Sequence, residues 1–95
     1  MAGYVIVDIR VTDPVRYEEY KQMAAPTVEA YGGSYVVRGG SAETLEGGWV
    51  PNRIVVLKFP SVERAREWYE SAEYAPGKAL RHETAESQMI LVEGV

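Results

Sequence analysis

The spacing of apolar residues changes several times along the chain, and each change marks an element. In "YVIVDIRV", residues 4–11, Val5, Val7, Ile9 and Val11 fall on one side and Tyr4, Ile6, Asp8 and Arg10 on the other, the period of two expected of a strand. "TDPVRYEEY" follows, in which Asp13 suits a helix N-cap and Pro14 the first helical position. Tyr17, Tyr20, Ala24, Thr27, Val28 and Tyr31 then recur at helical spacing, and Gly32-Gly33 end the run. Pro26 lies inside it without an amide donor, which predicts a kink or break near Met23. "SYVVR", residues 34–38, reads as a second strand, bent at Gly39-Gly40 and continued by "ETLE". "GGWVPN" is a turn-rich loop, and "RIVVLKF" a third strand that ends at Pro60. Ser61 caps a second helix with Ala65, Trp68, Tyr69 and Ala72 at i, i+3, i+4 and i+7. "SAEYAPGKALRHE" reads as a break and a short helix, and "SQMILVE" as the last strand.

The order β-α-β-β-α-β is the ferredoxin-like split arrangement, an α+β fold, with residues 1–95 forming a single domain. It predicts a four-stranded antiparallel sheet with both main helices on one face. Val5, Val7, Ile9, Val55, Leu57 and Phe59 supply the side under the helices. The alternate set, Tyr4, Ile6, Val36, Ile54, Val56 and half of "MILV", is also largely apolar. Two helices cover one face only, so the other needs a second roof. The simplest is the same face of a second copy related by a two-fold axis, which predicts a homodimer, a dimeric α+β barrel.

Composition narrows the function classes. There is no cysteine, which excludes disulfides, thiolate metal sites and cysteine nucleophiles. Ten basic and fourteen acidic residues give a net charge of −4 with no basic cluster, which argues against nucleic acid as a partner. The N-terminus carries no signal-peptide pattern, and no apolar run approaches the roughly 20 residues of a membrane span. A cytoplasmic protein without a membrane partner is expected.

In sequence the chain resembles the domain-of-unknown-function family DUF1330 of the dimeric α+β barrel superfamily. The resemblance rests on "GYVIVDIRVTDPVRYEEY", "YGGSYVVRGG", "LEGGW", "RIVVLKFPS", "WYESAEY", "KALR" and "LVEG", in that order over nearly the whole chain. One departure is Lys58, where the family typically has an acid before Phe-Pro-Ser. The resemblance implies a dimeric barrel and no established reaction. Other branches of the superfamily include cofactor-free monooxygenases, isomerases and haem-degrading enzymes, which sets an expectation for the fold and not for this site.

The candidate chemistry is sparse. Asp8 is a carboxylate within an apolar run and needs a partner, a ligand or solvent. With the first and third strands taken as parallel neighbours, Lys58 lies beside it as an ion-pair partner, and Arg38 shares their face if Tyr35 and Val37 point to the helices. Such a network either fixes the register of an interface or lines a charged cavity for an anionic or polar ligand. His82, the only histidine, has no companion for a metal site, and no nucleophile elbow or triad is legible. Trp68, His82 and Asp8 loosely match the haem-degrading branch, although alternation turns Asp8 away from the helices. Tyr20 and Trp68 are the best candidates for lining a cavity between sheet and helices, held open where Pro26, Pro76 and Gly77 interrupt the helices. Arg81 in "KALR" belongs to the matched pattern and is a candidate to anchor an anionic ligand or the helix end, with an ion pair the favoured role. The leading expectation is a small organic ligand, bound without a cofactor or metal, with His82 or Asp8 as proton acceptor if there is catalysis. The alternative is a non-catalytic structural or regulatory module.

Overall fold

The computed structural model describes all 95 residues. Four strands and three helices alternate along the chain: β1 (Gly3–Val11), α1 (Pro14–Ala30), β2 (Ser34–Arg38), β3 (Arg53–Phe59), α2 (Val62–Glu70), α3 (Ala75–Thr84) and β4 (Ala85–Glu93). The sheet order is β2-β3-β1-β4, and every neighbouring pair is antiparallel. Helix α1 brings the chain back so that β2 runs with β1 one place away. The return strand β3 fills the gap between them and opposes both, so the first and third strands are not parallel neighbours.

Helix α1 starts as its sequence dictates, with the Asp13 carboxylate accepting from Arg16 N–H at 3.2 Å and Pro14 in the first turn. It does not break at Pro26. The carbonyl that loses its donor belongs to exposed Gln22, where water replaces the bond at little cost. Thr27 Oγ1 ties the same turn to α2 by donating to the Ala24 carbonyl at 2.6 Å and accepting from Trp68 Nε1 at 3.0 Å.

Two irregularities decide which side chains reach the helix side of the sheet. Tyr35 faces Leu57, Val37 faces Val56 and Arg38 faces Val55, a bulge that sets two residues of β2 against one of β3. The slip moves Val37 to the face away from the helices and turns Arg38 to the helix side, opposite to the sequence expectation. At Gly39 a positive φ of +73° then swings the chain off the sheet after its N–H bonds the Ile54 carbonyl, so "ETLE" is loop and not strand.

Helix α2 ends at Glu70, before Ala72. Ser71 joins it to α3 by donating to the Trp68 carbonyl and accepting from Tyr74 N–H. Pro76 lies in the first turn of α3 and does not interrupt it. Gly77 closes space instead of opening it, since a Cβ there would touch the Tyr74 and Tyr20 rings at 3.7–3.8 Å.

The buried side chains form one cluster between the helices and the sheet. Trp68 and Tyr74 sit at its centre with ring centroids 4.1 Å apart, and Phe59 packs on Trp68 at 5.4 Å. The molecule is a slab of 35 × 33 × 17 Å, thin because the helices form a single layer. On the far side of the sheet Val36 is 54% exposed and Ile90 59%, while Tyr4, Ile6, Ile54 and Val56 are half-buried. No helix is long and apolar enough to cross a membrane.

Candidate functional site

Where α1 crosses β1 and β3, a narrow crevice opens between helix and sheet. Its walls are the rings of Tyr17, Tyr20, Tyr35 and Trp68 and the aliphatic Val7, Ile9, Val55 and Leu57. The enclosed volume is only about 30 Å³, room for a water or two. Lys21, Arg38 and Arg53 surround the mouth, and beyond it lies an open trough of about 560 Å³ shared with Glu18, Gln22 and Ala25.

Each cation arrives there for a local reason. Lys21 follows Tyr17 by one helical turn and pairs with Glu18 at 2.9 Å. Arg38 is turned inward by the bulge, and its guanidinium lies 4.3 Å from the centre of the Tyr35 ring. Arg53 faces Ile9 across the β1–β3 ladder, on the helix side. Its guanidinium occupies the space left by the missing side chain of Gly39. Arg53 Nε is buried and has no hydrogen-bond partner. Neither Arg38 nor Arg53 has a carboxylate within 4.0 Å.

Behind the crevice runs a hydroxyl network. Tyr20 and Tyr74 share a hydrogen bond of 2.9 Å, and Arg81 Nε donates to Tyr74 Oη at 3.3 Å. Arg81 Nη1 donates to Ser87 Oγ, and Nη2 lies 3.4 Å from His82 Nε2. Arg81 is 3% exposed, and its partners are two hydroxyls and an imidazole, not the carboxylate of an ion pair. A guanidinium stays charged at any ordinary pH, so the crevice has a fixed positive charge behind it as well as at its mouth.

Burial raises the pKa of Tyr20, reinforced by the neighbouring Tyr74. Burial also raises Tyr17 and Tyr35, against the opposing charges of Arg53 and Arg38. A phenol that holds its proton more tightly when folded than when unfolded stabilises the fold less once the unfolded chain ionises, so stability should fall as pH rises past about 10. Absorbance at 295 nm, followed with circular dichroism, should show these phenols ionising only as the protein unfolds. Full ionisation of all seven tyrosines in a folded sample would contradict their burial.

Of the residues singled out in the sequence, Tyr20, Arg38 and Trp68 meet at the crevice, and Arg81 reaches it through Tyr74. Asp8, Lys58 and His82 lie elsewhere. Asp8 is on the far face, where it accepts from Trp49 Nε1 and from Asn52 N–H, each at 2.9 Å. Its partners are thus its own loop. Lys58 faces Tyr4, whereas Asp8 faces Ile54. Four residues of strand, about 13 Å, separate the two positions, so no ion pair forms. His82 is exposed on α3, and partial burial with the charges of Arg81 and Lys78 holds it below the usual imidazole pKa. The Asp8, Trp68 and His82 trio is therefore dispersed between the far face, the core and the surface. No group of three or more His, Asp or Glu side chains is placed to hold a metal ion.

Sequence reasoning passed over Lys21, Arg53 and Trp49 as site or anchor residues, and ranked Tyr17 and Tyr35 below Tyr20 and Trp68 among the aromatics of a cavity wall. For Arg53 the signal was present, because it shares the parity of Val55, Leu57 and Phe59. Asp8→Asn leaves one of the two loop contacts facing an amide donor, and should cost about 1 kcal/mol, mostly as loosening of residues 40–52. Faster proteolysis of that loop and altered Trp49 emission would report it; unchanged cleavage and emission would show that Asp8 does not hold the loop.

The architecture is that of the ferredoxin-like α+β proteins. The profile of the domain family of unknown function DUF1330 matches residues 2–95, and the chain belongs to that family. No curated protein matches it in sequence. Among solved structures it is similar to the RPA0582 protein of unknown function from Rhodopseudomonas palustris, with TM-score 0.79 and 18% identity over 99% of this chain and 82% of that one. It is also similar to SnoaB, a cofactor-independent oxygenase from Streptomyces nogalater, with TM-score 0.68 and 12% identity over 99% and 93% of the two chains. A dimeric protein of unknown function with a ferredoxin-like fold from Bacteroides fragilis matches with TM-score 0.63 and 14% identity over 98% and 96%. At these identities the likeness is one of fold.

Proposed function

We propose that this protein is a homodimer whose subunits each bind a small, flat, largely apolar organic molecule at the crevice between α1 and the sheet. The observation that carries the ligand reading is the pairing of an aromatic slot with two guanidiniums that have no carboxylate partner. Arg38 is exposed, but Arg53 is half-buried, and a charge there is costly to hold without a counter-charge. The slot is closed at about 30 Å³, so a ring enters when the flexible side chains of Lys21 and Arg38 swing outward into the trough. The cofactor-independent oxygenase among the structural neighbours is consistent with a ligand site in this fold, and the chemistry here is left to the residues.

The dimer reading rests on the far face of the sheet. Strands of nine, five, seven and nine residues give a face of about 500 Å² per subunit at roughly 3.3 Å per residue and 4.8 Å per strand. A standard interface takes roughly 800 Å² from each partner. Exposed Trp49 and Val50 on the Asp8-anchored loop extend the same apolar surface.

A thermal-shift screen with small aromatic acids, quinones, flavins and haemin tests the ligand reading, since any ligand that prefers the folded state raises its stability by mass action. One or more stabilising compounds, lost on closing the slot with Ala24→Leu, supports it. The small closed volume favours a second reading, a non-catalytic homodimeric module. Silence across the whole screen would select that one.

A further inference from the structure

Resting on the ligand reading above, we infer that the molecule bound at the crevice is an organic acid, its ring against Tyr17 and Tyr35 and its carboxylate on Arg53 and Arg38. Three observations converge. The protein carries a net charge of −4, yet Lys21, Arg38, Arg53 and, behind them, Arg81 gather about one crevice whose only nearby acid is Glu18. Glu18 is already matched to Lys21. The two arginines are left with charge and donors to spare, and Arg53 Nε is the one buried side-chain polar atom of the protein with no partner.

A planar guanidinium fork suits a carboxylate better than a point charge does, because two parallel N–H donors meet two oxygens. With Lys21 and Arg38 swung aside, a carboxylate entering from the trough meets the Arg53 guanidinium, and a turn of that group brings the orphaned Nε to it; Arg38, already over the Tyr35 ring, continues the donor surface over an aromatic platform. The position of Arg53 is built in, since Gly39 has no side chain to displace it. A neutral ring gains the apolar contacts alone and leaves that donor unsatisfied, which is the kind of loss that discriminates strongly between ligands.

The test compares 2-naphthoate with 2-naphthamide, which share a ring system and differ in charge. Titrations followed by Trp68 emission in a Trp49→Phe background, and by the arginine Nε–H signals in NMR, should show naphthoate binding at least tenfold more tightly. Naphthoate should also shift the Arg53 Nε–H, and its affinity should fall with added salt. Arg53→Gln should abolish the preference. Arg38→Gln, at an exposed position, should weaken it severalfold and guards against a misfolded Arg53 variant. Equal binding of acid and amide would overturn the acid and leave the ligand site standing. If naphthoate moves neither Trp68 emission nor the Arg53 signal, the acid is overturned. If the whole neutral and acidic screen is silent as well, the ligand site falls with it.

Discussion

Trp68→Ala should lower stability by about 3–5 kcal/mol, the range for removing a large aromatic side chain from a packed core. Trp68 is 1% exposed and touches Tyr74, Phe59 and Tyr69 at once, and its indole N–H closes the bond to Thr27 that joins α2 to α1. Removing it leaves a void between three elements and takes the indole donor from the Thr27 hydroxyl, which keeps only its bond to the Ala24 carbonyl. Stability totals about 5–15 kcal/mol for natural domains, and a 95-residue chain buries a modest share of its surface, so the loss is a large fraction of the whole. At roughly 4–8 °C per kcal/mol the melting temperature should fall by more than about 12 °C. Trp49→Ala is the built-in comparison. That side chain is 63% exposed and makes one bond, to Asp8, so about 1 kcal/mol is expected. Urea denaturation of both variants checks the contrast. Equal losses would mean that the two indoles are not placed as described.

Much of this fold is legible in the chain because its determinants are local. Asp13-Pro14 and Ser61 cap helices wherever they fall in a fold, and the period-two run of residues 4–11 has one reading. The errors share one cause, which is that strand direction and register are properties of pairs. One bulge opposite Val56 reverses the facing of Val37 and Arg38, and no feature of "SYVVR" alone announces it. Taking β1 and β3 as parallel put Lys58 beside Asp8, whereas the antiparallel ladder puts Arg53 beside Ile9 and sends Lys58 to the other end. The same swap explains why the crevice was half seen. Tyr20 and Trp68 lie on helices whose buried stripes are fixed by spacing. Lys21 shares α1 with Tyr20, but Arg38 and Arg53 come from the ends of strands, where facing follows the ladder. Pro26 shows the converse, a strong local signal overruled because its orphaned carbonyl faces water.

Ile90→Glu should separate the two faces of the sheet. Ile90 sits midway along the edge strand β4, opposite Ile6, which in turn faces Val56, on the surface turned away from the helices. Within one subunit it is 59% exposed, so a carboxylate there meets water and should change the stability of an isolated chain by no more than about 0.5 kcal/mol. In a face-to-face dimer the same carboxylate is enclosed, and a two-fold axis supplies a second one from the partner. An uncompensated buried charge costs about 3–5 kcal/mol, which at 1.4 kcal/mol per decade weakens association by a hundredfold or more. Sedimentation of the unaltered protein should give a dimer, and of the variant a folded monomer with unchanged circular dichroism. Lowering the pH toward 4 should recover part of the association, because a protonated glutamate is far cheaper to enclose. A variant that stays dimeric at micromolar concentration and neutral pH would place the contact elsewhere. A natural chain that is monomeric would leave the far face covered by nothing but Trp49 and its loop.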